Sequence, residues 1–197
     1  MVSNVHVVLG TGPLGLAVID ELVSQGKKVV AVNRSGKALL PPDVQCLKGD
    51  LTDTNQSYNL LKNASVVYNC IGLPYHEWEK NFPKVMDNII KAAAENDTKI
   101  VYADNLYAYG PQSGPFHEEM SYKPVGTKTK VRAEVATKLM EASQKGMVRA
   151  AIGRGSDFYG QRVRNAILGE RVFQHLLDGK PVELIGNPDT LHSHISM

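Results

Sequence analysis

The sequence predicts an α/β fold built on a doubly wound parallel sheet, and three observations carry that expectation. Strand-like apolar runs alternate with helical stretches along most of the 197 residues. The runs at Val5–Leu9, Lys28–Asn33 and Ser65–Ile71 are rich in β-branched residues and nearly continuous, as in strands buried on both faces. The first run ends in Gly10-Thr11-Gly12-Pro13-Leu14-Gly15 and leads directly into a helical pattern. Strands alternating with helices at this spacing are joined by right-handed crossovers within one sheet.

The elements follow in order. Val5–Leu9 is the first strand, and Leu14–Gln25 the first helix, closed by Gly26. Lys28–Asn33 is the second strand and Val44–Leu47 the third. A short helix over Thr54–Leu61 follows, with Thr52 or Asp53 available as its cap. Ser65–Ile71 is the fourth strand, followed by a helix over Phe82–Asn96 that turns Ile89, Ile90 and Ala92–Ala94 toward the sheet. Lys99–Ala103 is the fifth strand. A long helix, Lys128–Lys145, leads through Gly146 to a sixth strand at Val148–Ile152. The loop Gly110–Pro124 is long for a compact domain, a length that more often serves function than connection. Beyond Arg154 the pattern weakens to a helix near Glu170–Asp178 and a strand at Val182–Ile185. The expected division is a nucleotide-binding domain over 1–153 and a small, incomplete C-terminal lobe over 154–197.

Composition excludes several classes. The formal net charge is +2, with no basic stripe for nucleic acid and no run of like charges. No apolar run approaches the ~18 residues that cross a bilayer. Cys46 and Cys70 are the only cysteines; both fall in apolar, strand-like runs without metal-ligand or redox spacing. Reduced thiols and a cytoplasmic location are the expectation.

The glycine turn carries the chemistry. In a strand–GxGxxG–helix unit the first glycine makes the tight turn, the second lets backbone approach a pyrophosphate, and the third lets helix pack on strand. The helix N-terminus then offers N–H groups and a positive dipole end to the phosphates. Gly10, Thr11, Gly12, Pro13, Leu14 and Gly15 are the expected cradle of a Rossmann-type dinucleotide site. The second strand ends in Asn33-Arg34-Ser35, without the acid that receives ribose hydroxyls in NAD sites; a guanidinium there can pair with a 2′-phosphate. NADP is therefore the expected cofactor, with NAD the alternative. Asp50 and Leu51 follow the third strand, where a carboxylate could accept from an adenine amino group or cap the next helix. Cys70, Ile71 and Gly72 end the fourth strand, where ligands sit in open α/β sheets.

The order GxGxxG, Arg34, Asp50-Leu51, Gly72, Tyr109-Gly110, then Arg154 with Phe158-Tyr159-Gly160, resembles the extended short-chain dehydrogenase/reductase superfamily, in its NAD(P)-dependent epimerase/dehydratase branch. The resemblance spans nearly the whole chain and implies that Phe158 lies near the nicotinamide. It also implies a Tyr-x-x-x-Lys pair on the long helix and a Ser or Thr after the fifth strand. Here the lysine position is Lys130, the tyrosine position is Gly126, and Asn105 stands for the Ser or Thr. Asn105 can hydrogen-bond a carbonyl but cannot act as an acid. Tyr107, Tyr122 and Tyr75 are candidate replacements, each with a structural role as the alternative, and Tyr107 is the leading one. The implied catalytic set is Lys130, Tyr107 and Asn105. A homodimer is implied by the family alone.

Pro74–Trp78 combines Tyr75, His76, Glu77 and Trp78, suited either to a substrate pocket or to packing at a helix start. His117, Glu118 and Glu119 sit on the long loop. His192 and His194 have a spacing seen in metal sites, without an accompanying cluster, so no metal is expected. Such families continue for about another hundred residues beyond this point, so a fragment, or a shortened lobe, is expected, with apolar surface near Ile152 and Phe173 uncovered. The functional expectation is an NADP-dependent oxidoreductase or epimerase/dehydratase acting on a carbonyl, a secondary alcohol or a nucleotide sugar. The alternatives are an NADP-binding sensor without catalysis, or an interaction domain that binds neither coenzyme.

Overall fold

The near-continuous apolar runs form one parallel sheet in a computed structural model that describes residues 4–184, 186–187 and 189–197. Strand β1 (Val5–Leu9) lies at its centre, between β2 (Lys28–Asn33) and β4 (Ala64–Asn69). β3 (Gln45–Lys48) lies outside β2, and β5 (Lys99–Asn105) and β6 (Ala150–Gly155) extend the sheet beyond β4. The order β3-β2-β1-β4-β5-β6 reverses direction between β1 and β4, the switch point at which open α/β sheets bind ligands. All these pairings are parallel, so the carboxyl ends of the six strands share one edge.

Helices α1 (Pro13–Ser24), α2 (Thr54–Leu61), α3 (Trp78–Glu95) and α4 (Thr127–Gln144) cover the sheet. Ile19 and Leu22 of α1 pack with Val8, Val29 and Ala31 in one core. On the opposite face Phe82, Met86 and Ile89 of α3 and Leu139 of α4 pack with Leu9, Val67, Ile100 and Tyr102. Each large apolar side chain buried here contributes about 1.5–3 kcal/mol. Asp53 caps α2 by accepting the Gln56 N–H at 2.8 Å, which decides between the two expected caps. α3 begins at Trp78, a turn before its sequence signal, and Pro83 lies inside it, where its ring removes one intrahelical N–H donor. Ala94 on α3 is exposed, unlike Ala92 and Ala93.

β6 is displaced from its expected place. Its ladder with β5 starts at Ala150 and carries Gly153 and Gly155, residues of poor strand propensity that the pairing overrides. It therefore runs two residues past the boundary expected at 153. Beyond it, β7 (Asp157–Tyr159) pairs in parallel with β8 (His194–Ser196), a second small sheet that no sequence pattern announced. The strand expected over 182–185 does not form: Val182–Leu184 are irregular, and Ile185 lies outside the described residues. Pro181 before them lacks a ladder donor. Helix α5 (Glu170–Leu177) buries only Val172. Phe173 and Leu177 are 46% and 82% exposed, and Ala151 and Gly153 of β6 face solvent, so apolar surface is uncovered there. Among the described residues, no helix is long and apolar enough to cross a membrane.

Candidate functional site

The glycine turn rises from the carboxyl end of β1 and folds as each glycine requires. Gly10 has φ +94, and a Cβ on it would strike the Cys70 carbonyl of the neighbouring strand end. A Cβ on Gly15 would fall on the Gly10 carbonyl, so only glycine lets α1 sit this close to β1. Gly12 differs. Its backbone is extended, and a Cβ there would meet nothing within 4 Å. The space above it is open, and Gly12 caps α1 without any side-chain hydrogen bond. Pro13 occupies the first helical position, so the N–H groups of the opening turn face this space uncapped. That geometry fits a pyrophosphate.

The neighbouring strand ends complete the crevice. Asn33 donates from its amide to Thr11 Oγ1 at 2.8 Å and to the Lys37 carbonyl at 2.9 Å. Its oxygen accepts from Ser35 N and Oγ, both at 3.0 Å, and from Gly36 N at 2.6 Å. Asn33, Thr11 and Ser35 thus brace the turn against one another, and Arg34 is left as the projecting group. Arg34 reaches Glu77 Oε2 at 3.7 Å. Asp50 accepts from Thr52 N at 2.9 Å and Thr52 Oγ1 at 2.8 Å, bonds that hold its carboxyl below the ordinary range. The Leu51 side chain is buried in the core. Cys70 lies half-covered beside the turn, where burial pushes its thiol up to about 12. Ile71 packs against the core, and the space around Gly72 is open.

At the other end stand the groups expected to meet substrate. Asn105 ends β5, and its oxygen accepts the Tyr107 N–H at 3.0 Å, leaving its amide NH₂ to donate. Tyr107 lies in a 3₁₀ turn over Tyr107–Tyr109, its ring centroid 6.4 Å from that of Trp78. Burial pushes its hydroxyl up to about 12, reinforced by the Tyr75 hydroxyl to which it is hydrogen-bonded. Tyr75 packs at a tilt against Trp78, ring centroids 4.9 Å apart, and carries the Lys128 ammonium 3.5 Å above its ring. Lys130 is exposed on the first turn of α4, its N–H bonded to the Gly126 carbonyl at 3.1 Å. Gly126 is the N-cap of α4, with φ +83. The position of the missing tyrosine is therefore off the helix, in backbone that a tyrosine adopts only under strain. Phe158, in β7, packs its ring on Gly155.

The Tyr122 hydroxyl accepts from Arg154. Arg154 also donates to Tyr109 at 2.8 Å and to Asp104 at 3.3 Å, and Asp104 lies 3.4 Å from Arg132 of α4. Arg132 donates to Tyr102 and stacks over Trp78 and Phe82 at 4.7 and 4.6 Å. Burial pushes the Asp104 carboxyl up, against the pull of both guanidiniums. Sequence reading missed this network. A signal existed: Asp104 shares the period of two with buried Ile100 and Tyr102, and Arg132 follows Val131 on the helix stripe. His192 bonds Asp157 at 2.6 Å, and His192 and His194 lie 4.8 Å apart. Among the described residues, no group of three or more His, Cys, Asp or Glu gathers to hold a metal. His117, Glu118 and Glu119 are exposed.

Comparison with known proteins agrees with this architecture. The model of the NAD dependent epimerase/dehydratase family matches residues 6–195. No curated protein matches the chain significantly. A crystal structure of UDP-galactose 4-epimerase superposes with a TM-score of 0.83 at 19% identity, over 98% of this chain and 67% of that one. The UDP-glucuronic acid 4-epimerase from Bacillus cereus, in complex with UDP-glucuronic acid and NAD, gives 0.84 at 18%, over 98% and 69%. The UDP-N-acetylglucosamine 4-epimerase from Methanobrevibacter ruminantium, solved with UDP-N-acetylmuramic acid, gives 0.84 at 17%, over 100% and 70%.

Proposed function

The chain belongs to the NAD dependent epimerase/dehydratase family, and from that premise we propose that it binds a nicotinamide dinucleotide and acts as an oxidoreductase or epimerase/dehydratase on a carbonyl or secondary alcohol. The observation that carries this is the open space over Gly12 at the uncapped start of α1. N–H groups there hold the pyrophosphate. When bound, the nicotinamide supplies reversible hydride transfer. Arg34 and the absence of an acid at the end of β2 favour NADP; solved neighbours were crystallised with NAD. A nucleotide sugar is the proposed substrate class, as in those neighbours.

In this reading Tyr107 keeps its proton at neutral pH and presents it to the substrate oxygen, with Tyr75 as its hydrogen-bond partner. The Asn105 amide orients the same oxygen, and Lys130 supports the nicotinamide ribose. Phe158 lines the nicotinamide end. Asp50 and Gly72 border the adenosine. The two free thiols suit a reducing, cytoplasmic setting. A homodimer through the long helix α4 is proposed from the family likeness alone.

Gly126 favours a second reading, a sensor that binds NADP without turnover, because its positive φ disfavours the usual tyrosine. Separate titrations with NADPH and NADH, read by Trp78 fluorescence, test the shared premise. Saturable binding of at least one coenzyme is expected; binding of neither overturns both readings. Turnover on a panel of carbonyl compounds and nucleotide sugars then separates enzyme from sensor.

A further inference from the structure

Arg34 and Glu77 meet across the crevice. Arg34 follows β2, Glu77 lies in the turn after β4, and β1 runs between those strands, so their contact spans the strand end that bears the glycine turn. Arg34 Nη1 stands 3.7 Å from Glu77 Oε2, with the arginine side chain 66% exposed and the glutamate 26%. Glu77 is held in place from its own helix start: Asn81 Nδ2 donates to Oε2 at 3.3 Å, and His76 Nε2 lies 3.8 Å from Oε1. The acid absent from the end of β2 is thus supplied from the far wall, forty-odd residues away in sequence. Asp50 also faces the guanidinium from the end of β3.

We propose that Glu77 sets the coenzyme selectivity of this site by competing with the adenosine 2′-phosphate for the Arg34 guanidinium. The proposal rests on the dinucleotide reading above and goes beyond it. A 2′-phosphate draws on Arg34 in competition with that ion pair. A 2′-hydroxyl, carrying no charge, meets no such competition. Glu77 therefore lowers NADP affinity while leaving NAD affinity intact, and Arg34 alone does not decide the preference. An exposed ion pair is worth at most about 1 kcal/mol, so the competition is a bias rather than a block.

Glu77→Gln preserves size and the Asn81 contact while removing the charge. NADPH and NADH dissociation constants are measured for the wild type, Glu77→Gln, Arg34→Ala and the double variant. Glu77→Gln is expected to tighten NADPH by roughly three- to fivefold and to leave NADH within about twofold. Arg34→Ala weakens NADPH selectively, and in its background Glu77→Gln brings no gain. Equal changes for both coenzymes, no change for either, or a gain that survives without Arg34 overturns the proposal while the coenzyme reading stands. A wild type that binds neither coenzyme overturns the premise, and this proposal with it.

Discussion

Arg154 of β6 lies 3.3 Å from the Asp104 carboxylate of β5, directly across the parallel ladder that pairs the two residues. The same guanidinium donates to Tyr109, before the long loop, and to Tyr122, near its end. Arg132 closes the other side of Asp104 at 3.4 Å. One buried carboxylate therefore ties β5, β6, α4 and both ends of the Gly110–Pro124 loop together, next to Asn105 and Tyr107.

Removing that carboxylate leaves two guanidiniums buried without a counter-charge. Asp104→Ala is expected to cost about 3–5 kcal/mol of stability, the range for breaking a buried pair from one side. Urea unfolding followed by far-UV circular dichroism measures it. Arg154→Ala is expected to release the loop, seen as faster proteolytic cleavage within 110–124 than in the wild type. A loss below about 1 kcal/mol for Asp104→Ala would mean that the pairing contributes little.

How much of this was legible in the sequence follows from which interactions are local. The glycine turn and the β1, β2 and α2 spans could be read, because backbone sterics and hydrophobic period act over a few residues. The Arg34–Glu77 pair and the β7–β8 sheet depend on the topology that brings distant segments together, and nothing adjacent to either residue announces them. Asp104 and Arg132 fall between these cases. Each occupies a core-facing position that its own period marks as apolar, but the compensation for each charge lies on another element. Lys128 was overlooked because family spacing pointed to Lys130, whereas the fold brings Lys128 over Tyr75.

The three glycines of the turn respond differently to a side chain. Gly12→Val adds its Cβ to open space in a backbone conformation any residue adopts, so thermal stability is expected to stay within about 1 °C. NADH and NADPH binding is expected to weaken at least about tenfold, because the valine fills the phosphate space. Gly15→Val drives its Cβ into the Gly10 carbonyl, and a lowered melting temperature is the expected result. Gly12→Val with undiminished coenzyme affinity would move the pyrophosphate elsewhere.

Tyr107→Phe separates catalysis from binding. It removes one hydroxyl from the Tyr75 contact without touching the glycine turn. If Tyr107 is the proton donor, turnover falls by about a hundredfold or more while coenzyme dissociation constants remain unchanged. Steady-state kinetics on any substrate found in the carbonyl panel, with a parallel coenzyme titration, checks both halves. Unchanged turnover assigns the proton to Tyr75 or to solvent.

The two thiols differ in a way that pH exposes. Burial pushes Cys70 up to about 12 from an ordinary 9.0, and raises Cys46 as well. A raised thiol stays protonated below its pKa, and only the thiolate attacks a disulfide reagent. At pH 8 the Cys70 thiolate population is about a thousandfold below that of an ordinary thiol, three units being three factors of ten. Cys46 sits on the edge strand β3, less enclosed than Cys70 at the glycine turn. Reaction with an aromatic disulfide reagent at pH 8 is therefore expected to modify Cys46 first and leave Cys70 intact. The Cys70 rate then climbs about tenfold per pH unit toward pH 11 while the fold holds. Cys70→Ser and Cys46→Ser variants assign the two phases. Because the Cys70 carbonyl borders Gly10, bound coenzyme is expected to slow the Cys70 phase further and leave the Cys46 phase alone. Equal rates for both thiols at pH 8 would show that the strand end beside the glycine turn is open to solvent, and the close packing on which the cradle depends would be lost with it.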